Sequence, residues 1–369
     1  MSWRTGCWQI CRDMMRILFH KYLVFSLLAL SACGLFSCTK EDSPDSDVPV
    51  QEASVDVTVV GESLTRASGS GHGSQEDDNT VNTLDVFLYN AAGKLERYVH
   101  TDGTASCSFN ATVGQKSLYV LVNNHDVTLS PTNLQTLAKF KTLKTSVKKE
   151  ALKSFTMIGG KEVTLGASNV LDIPVRRLCS RVVVSSIKTD FSGTPYAGAT
   201  LNTVKIYILN AHASNLIWNG ADPSTPTILN NKAYSSTCNS GVSMDGILQS
   251  TYTQIVDGTP KTTVLYFYPY ANTLASETES ARFTRLTVEG TLKIGTKSLG
   301  KHYWSVNINR EGFGYVSGTP GVEANHSYTM NIVIKNPGSP SPDIIPEEYS
   351  VDVDLQVAPW TVVTDRHDF

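Results

Sequence analysis

Val55-Asp56-Val57-Thr58-Val59 near one end of the chain, and Tyr349-Ser350-Val351-Asp352-Val353-Asp354-Leu355-Gln356-Val357 near the other, are written in nearly the same code. Each alternates apolar and polar residues with period two, the pattern of a strand that buries one face and shows the other to water. The first is followed by Leu64-Thr65-Arg66-Ala67, then by Gly69, Gly71, Gly73 and Glu76-Asp77-Asp78, a run with almost nothing apolar to bury. Such a run predicts an exposed loop in which the Arg66–Ala67 bond is open to a protease. A β-sandwich deprived of the first segment could accept the second from a neighbouring molecule. The pair therefore predicts a building block that polymerises by strand exchange, not an enzyme.

Between these segments the chain reads as many short strands. Leu84 to Tyr89 and Leu95 to Val99, joined by a turn through Asn90 to Gly93, form a hairpin pattern. Further strands are expected at Ser117–Val122, Thr156–Leu165, Val170–Pro174, Arg181–Ile187, Leu201–Leu209, Thr263–Tyr268, Phe283–Ile294, His302–Asn309 and Tyr328–Ile334. Helices are few. Ser130-Pro131 followed by Leu134, Leu137 and Phe140 predicts one, with serine as cap, and a weaker one is expected over Val147–Phe155. The stretch from Ala211 to Asp257 is rich in Ser, Asn, Thr and Gly and predicts long loops with short strands. This inventory is an all-β fold with minor α, arranged as two tandem antiparallel β-sandwich domains. A chain of 369 residues exceeds what one core usually organises, and Arg176-Arg177-Leu178-Cys179-Ser180 marks the passage between the two. The expected divisions are a signal segment over 1–38, a propeptide with the removable strand over 39–66, domains over 67–176 and 177–336, and a hinge with the terminal strand over 337–369. In that hinge, Asn336 to Pro346, prolines hold the chain extended at ~3.1 Å per residue, so the terminal strand is expected to be able to leave its own domain.

With 31 Lys and Arg against 34 Asp and Glu, the net charge is −3, and no basic block interleaves with aromatics, which excludes a nucleic-acid partner. At the N-terminus, basic Arg16, His20 and Lys21 precede the apolar run Tyr22 to Leu30 and then small residues, a targeting segment whose start is Met1 or, with a shorter basic region, Met14 or Met15. Its apolar run falls short of the ~20 residues of a spanning helix. Leu30-Ser31-Ala32-Cys33 and Leu35-Phe36-Ser37-Cys38 each resemble the lipobox of a bacterial lipoprotein, in which the cysteine thiol takes a diacylglycerol. Cys33 has the cleaner box, but Thr39-Lys40-Glu41-Asp42 after Cys38 resembles the charged signal of surface lipoproteins, so Cys38 is the expected lipidation site and Cys33 the alternative. A lipidated precursor is tethered to the outer membrane yet released by a cut downstream. The remaining Cys107, Cys179 and Cys238 are odd in number and scattered, a pattern of neither disulfides nor zinc.

No catalytic constellation stands out. The eight histidines are dispersed, and no metalloprotease, nucleophile-elbow or phosphate-loop motif occurs, so no catalytic, metal or cofactor residue is assigned. Gly69-Ser70-Gly71-His72-Gly73 opens no helix, Asp77-Asp78 reads as a solvated charge run, and the triplets at Asn110 and Asn325 are weak glycosylation signals.

The order of these features resembles the fimbrillin family of Bacteroidia, the type V pilins. The resemblance rests on the start at Cys38, Leu64-Thr65-Arg66-Ala67, the strand Val81 to Asn90, and the ending Val351 to Val363 with Val357-Ala358-Pro359-Trp360. It implies transthyretin-like sandwiches, export as a lipoprotein, removal of the first strand by an arginine-specific, trypsin-like protease, and filling of the groove by the C-terminal strand of the next subunit. Carried over, Arg66–Ala67 is the cut bond, Val55 to Val60 the lost strand, and Tyr349, Val351, Val353, Leu355 and Val357 the donor face. Expected partners are other copies of the chain, other pilin subunits, the protease, the outer membrane through lipid, and a host glycan or protein receptor. Tip and stalk subunits share most of these features, whereas Arg66 counts against an anchor subunit. A different class of reading is a tip adhesin or a non-polymerising glycan-binding lipoprotein, with Trp218 and Tyr234 in the long loops stacking on sugars.

Overall fold

Period-two alternation in this chain becomes strand almost everywhere it occurs. The computed structural model describes residues 51–61, 80–125, 129–218, 246–273, 282–313, 315, 319–342, 344 and 351–359. The first eight strands are β1 (Glu52–Gly61), β2 (Thr83–Asn90), β3 (Leu95–Asp102), β4 (Ser106–Thr112), β5 (Gly114–Val122), β6 (Lys144–Ser146), β7 (Met157–Leu165) and β8 (Ser168–Arg177). The rest are β9 (Arg181–Thr189), β10 (Thr200–Leu209), β11 (Ser214–Leu216), β12 (Gln249–Tyr252), β13 (Leu265–Phe267), β14 (Arg285–Ile294), β15 (Lys297–Asn307), β16 (His326–Ile334) and β17 (Val351–Pro359).

Seven strands form the first sheet, in the order β3-β2-β5-β7-β8-β1-β4. The sheet folds over on itself at β7. Only Met157 to Gly159 pair with β8, while β7 pairs with β5 along its whole length. Two glycines allow the close approach there: a Cβ on Gly159 would lie 2.4 Å from the Pro174 carbonyl oxygen, and one on Gly160 2.2 Å from the Tyr119 ring. The folding-over brings edge strands β3 and β4 together, where Arg97 Nε donates to the Asn110 carbonyl (2.7 Å) and Glu96 accepts from the Thr112 amide (2.7 Å) and Lys116 (2.6 Å). Inside lies an aliphatic core of Val55, Val57, Val59, Leu84, Val86, Leu118, Val120, Ile173 and their neighbours.

Two four-stranded sheets, β12-β10-β14-β15 and β13-β9-β16-β17, form the second sandwich. Its core, built on Val182, Ile206, Leu286, Trp304, Met330 and Ile332, continues without a break into Phe87, Tyr119, Phe140 and Phe155 on the outer face of the first sheet. The described residues accordingly pack as one compact unit. The small sheet β11-β6 ties Ser214–Leu216 to Lys144–Ser146 across the same junction.

Three expectations are corrected. The sheets are not wholly antiparallel, since β1 runs parallel to β8 and β16 parallel to β9. The helix expected from Ser130 is a single turn, α1 (Leu137–Phe140), capped by Thr136. Ser130 opens only a turn, closed by Asn133 N to Ser130 O (2.9 Å), because the Gln135 carbonyl is taken by the Leu95 amide (2.8 Å), which draws the chain into an extended link beside β3. The helix expected over Val147–Phe155 is a 3-10 turn at Val147–Lys149, after which Glu150 turns inward.

Candidate functional site: the slot of the first strand

β1 is an interior strand, although it comes first in the described chain. It pairs antiparallel with β4 from Glu52–Thr112 to Thr58–Ser106 and parallel with β8 from Ser54–Ser168 to Gly61–Val175. Ala53, Val55, Val57 and Val59 point into the aliphatic core and are at most 1% exposed, while Ser54 and Asp56 on the other face are exposed. Backbone hydrogen bonds divide the same way. Val59 donates to the Ala105 carbonyl (2.9 Å) on the β4 side, and Ser54 donates to the Ala167 carbonyl (2.9 Å) on the β8 side. On the outer face, Ser108 Oγ donates to Asp56 Oδ1 (2.5 Å), and Asn169 Nδ2 donates to the Ser54 carbonyl (3.0 Å). Next to Asp56, burial and that carboxylate push the Cys107 thiol up to about 11, leaving it an inert part of the wall opposite Val57.

Sequence reasoning missed β4, one of the two walls of this slot. Its signal is the weak alternation of Cys107, Phe109 and Ala111 with Ser106, Ser108 and Asn110. Few of its side chains are large and apolar, so it reads as a polar loop until β1 is laid beside it.

At the other end of the chain, β17 is an edge strand. It pairs antiparallel with β16 from His326–Pro359 to Ile334–Val351 and has no second neighbour among the described residues. Val351 and Leu355 are buried, Val353 and Val357 are partly buried, and Asp352, Asp354 and Gln356 face outward. Lys335 pairs with Asp352, and Asn331 Nδ2 donates to Asp354 Oδ2 (3.3 Å). The hinge before it is not uniformly free. Ser339 bridges to Tyr303 through two backbone hydrogen bonds of 2.9 Å, and Trp304 Nε1 donates to the Asn336 carbonyl (2.7 Å). The proline-rich segment is thus pinned at Asn336 to Ser339.

Cys33, Cys38, Arg66, Ala67, Tyr349, Cys238 and Tyr234 lie outside the described residues. The bond expected to be cut, Arg66–Ala67, belongs to the stretch of sequence that follows Gly61, the last residue of β1. Trp218 does not stand free for a sugar: its ring meets Tyr119 edge-on at 4.7 Å and carries Lys141 Nζ 4.5 Å from its centroid, so it packs at the junction of the two sandwiches. No cluster of metal-binding side chains occurs among the described residues.

Two family models match the chain in succession. Residues 53–171 match the major fimbrial subunit protein (FimA), and residues 227–366 match the fimbrillin-A associated anchor proteins Mfa1 and Mfa2. The chain belongs to the fimbrillin family of Bacteroidia and is a fimbrial subunit, a component of the fimbrium that associates with other fimbrial components. It is 25% identical over 397 residues to the major fimbrium subunit FimA type-2 of Porphyromonas gingivalis, which covers 92% of this chain and 97% of that protein. Its fold is similar to the crystal structure of a fimbrilin of Porphyromonas gingivalis W83 (TM-score 0.60, 18% identity, 85% of this chain and 99% of that one). It is also similar to a candidate cell adhesion protein of Parabacteroides distasonis (TM-score 0.62, 17% identity, 86% of this chain and 99% of that one).

Proposed function

We propose that the chain is a polymerising stalk subunit whose precursor carries β1 as a temporary occupant of the slot between β4 and β8. The precursor is exported as a lipoprotein held by Cys38, or by Cys33, and a trypsin-like protease cuts after Arg66. The released slot is then filled by Tyr349 to Val357 of the next subunit. Two sandwich domains, 67–176 and 177–336, share the apolar layer described above, and 337–369 supplies hinge and donor.

The observation that carries this reading is the placement of β1 itself. An interior strand with four side chains sealed in the core is joined to the rest only through the segment holding Arg66, so one cut leaves it attached by noncovalent contacts alone. A vacant slot exposes two rows of unpaired backbone groups, the template on which a foreign strand is added. β17, with one neighbour and the same alternation, suits the part.

The test compares the parent with Arg66→Ala. The variant is expected to remain full-length, lipidated and monomeric, and fibres forming from it as from the parent would refute the role of Arg66. Truncation before Tyr349 is expected to leave cleavage intact and stop extension. The Arg66 site supports a stalk role over an anchor, and electron microscopy of shed surface material distinguishes regular filaments containing this chain from tip or anchor labelling. With Trp218 packed at the junction, the glycan-binding alternative keeps only Tyr234 of its two aromatics.

A further inference from the structure

β1 gives the slot a ruler, and the donor sequence can be read against it. Keeping Val351, Val353, Leu355 and Val357 on the core side restricts the donor to registers two residues apart, since a single-residue slip would turn Asp352, Asp354 and Gln356 inward. Three such registers seat at least three of these four residues in the places of Ala53, Val55, Val57 and Val59 when the donor runs in the direction of β1.

The first puts Tyr349 in the place of Ala53. That place is 1% exposed and faces Ala111, itself 5% exposed, so it is too narrow for a phenol ring. The third puts Pro359 in the place of Val59, whose amide donates to the Ala105 carbonyl (2.9 Å). Proline has no hydrogen to give, and a ladder bond inside the slot would be lost. In the second, Val351 replaces Ala53, Val353 replaces Val55, Leu355 replaces Val57 and Val357 replaces Val59. Pro359 then falls in the place of Gly61. The amides of Val59 and Gly61 point to the same edge, and the β4 ladder there ends at Thr58–Ser106 and the Ala105 bond, so proline costs no partner. Asp354 takes the place of Asp56, where Ser108 Oγ donates to a carboxylate at 2.5 Å. A reversed donor with the same four residues in those places would put Pro359 at the place of Gln51 and Asp354 again at that of Asp56, so the seat of Asp354 is the same in either direction.

Building on the strand-exchange reading, with the donor running as β1 does, we infer that it enters in one register, with Asp354 seated against Ser108 of the receiving copy and Pro359 as the stop at the position of Gly61. Tyr349 and Pro359 act as positioning residues. Each blocks one step of sliding.

The test is disulfide trapping on a Cys107→Ser background. Asp56 and Ser108 are direct cross-strand partners, so Asp56→Cys with Ser108→Cys should close within the uncut precursor and calibrates the geometry. Fibres are then grown from cleaved subunits carrying Ser108→Cys together with Asp352→Cys, Asp354→Cys or Gln356→Cys, oxidised, and run on non-reducing denaturing gels. A ladder of covalent multimers is expected for Asp354→Cys alone. A ladder from Asp352→Cys or Gln356→Cys instead overturns the register and leaves strand exchange standing. Fibres that give no ladder with any of the three overturn both. Should the cysteine subunits not assemble, peptides spanning residues 349–360 with cysteine at 352, 354 or 356 are offered to the cleaved Ser108→Cys subunit, where only the peptide with cysteine at 354 should cross-link. Cross-linking by another peptide, or by none, overturns the inference.

Discussion

Glu150 sits in the interior with the Tyr270 hydroxyl 2.6 Å from Oε1 and the Thr156 amide 2.9 Å from Oε2. Burial raises its pKa despite both contacts. A carboxyl whose folded pKa lies above its ordinary value stabilises the fold fully below that ordinary value and loses the contribution as pH rises through the folded one. Glu150→Gln keeps a donor toward Tyr270 and an acceptor for Thr156 without the titration. Its chemical denaturation midpoint is therefore expected to vary less than the parent's from acidic to mildly alkaline pH, and to exceed it at the alkaline end. At Gly160 the argument is steric. Alanine there would drive the Tyr119 ring off its stack with Phe140, where the centroids are 5.2 Å apart, and is expected to cost about 1–3 kcal/mol in thermal or chemical unfolding.

At the scale of the element, β1 and β17 differ in what a mutation can reach. Val57→Asp would put an unpaired carboxylate among Val55, Val59 and Leu118 and should destabilise the precursor by roughly 3–5 kcal/mol. Because β1 departs with the propeptide under the proposed maturation, fibres made from already cleaved subunits should be unaffected, whereas Leu118→Asp should damage both forms. Unfolding of precursor and fibre in parallel reads the difference. Ahead of β17, Gly338 has φ +71° and no room for a Cβ, which would lie 2.5 Å from the Tyr303 carbonyl oxygen and 2.7 Å from Trp304 Nε1. Gly338→Ala should unpin the hinge, seen as faster proteolysis of the C-terminal tail in the monomer.

For the whole molecule, the question is whether losing one strand matters to stability. Burying Val55, Val57 and Val59 contributes about 5–9 kcal/mol at ~1.5–3 kcal/mol each. That rivals the ~5–15 kcal/mol of a typical domain, so a cleaved subunit with an empty slot should be marginal. In the inferred register the donor replaces Ala53 by valine and Val57 by leucine, three carbons more, worth about 2 kcal/mol of added burial at ~0.8 kcal/mol each. That increment favours the donor over the original strand within the slot itself, with the burial of Val351 and Leu355 on β16 given up in exchange. A peptide of residues 349–360 should raise the melting temperature of the cleaved subunit in a concentration-dependent way, by about 2.7 kcal/mol of stability at a hundredfold excess over Kd. The same peptide with aspartate at Val353 and Leu355 should have no effect.

The two ends of the chain announced themselves because alternation is local. Val55 to Val59 and Val351 to Val357 each carry their own inside and outside, and so did the hairpin of β2 and β3 and the long strands β10, β14 and β16. The outlines of the all-β fold and the paired strands followed from sequence alone. Partners did not, because hydrogen bonding between strands joins residues far apart in sequence and leaves no periodic mark. That β1 lies parallel to β8, that the near-polar β4 forms the other wall of its slot, and that Gln135 gives its carbonyl to Leu95 instead of to a helix were decided only when the sheet folded over at Gly159 and Gly160. A strand's faces are written in its own side chains, whereas its neighbours are chosen by the packing of the whole core.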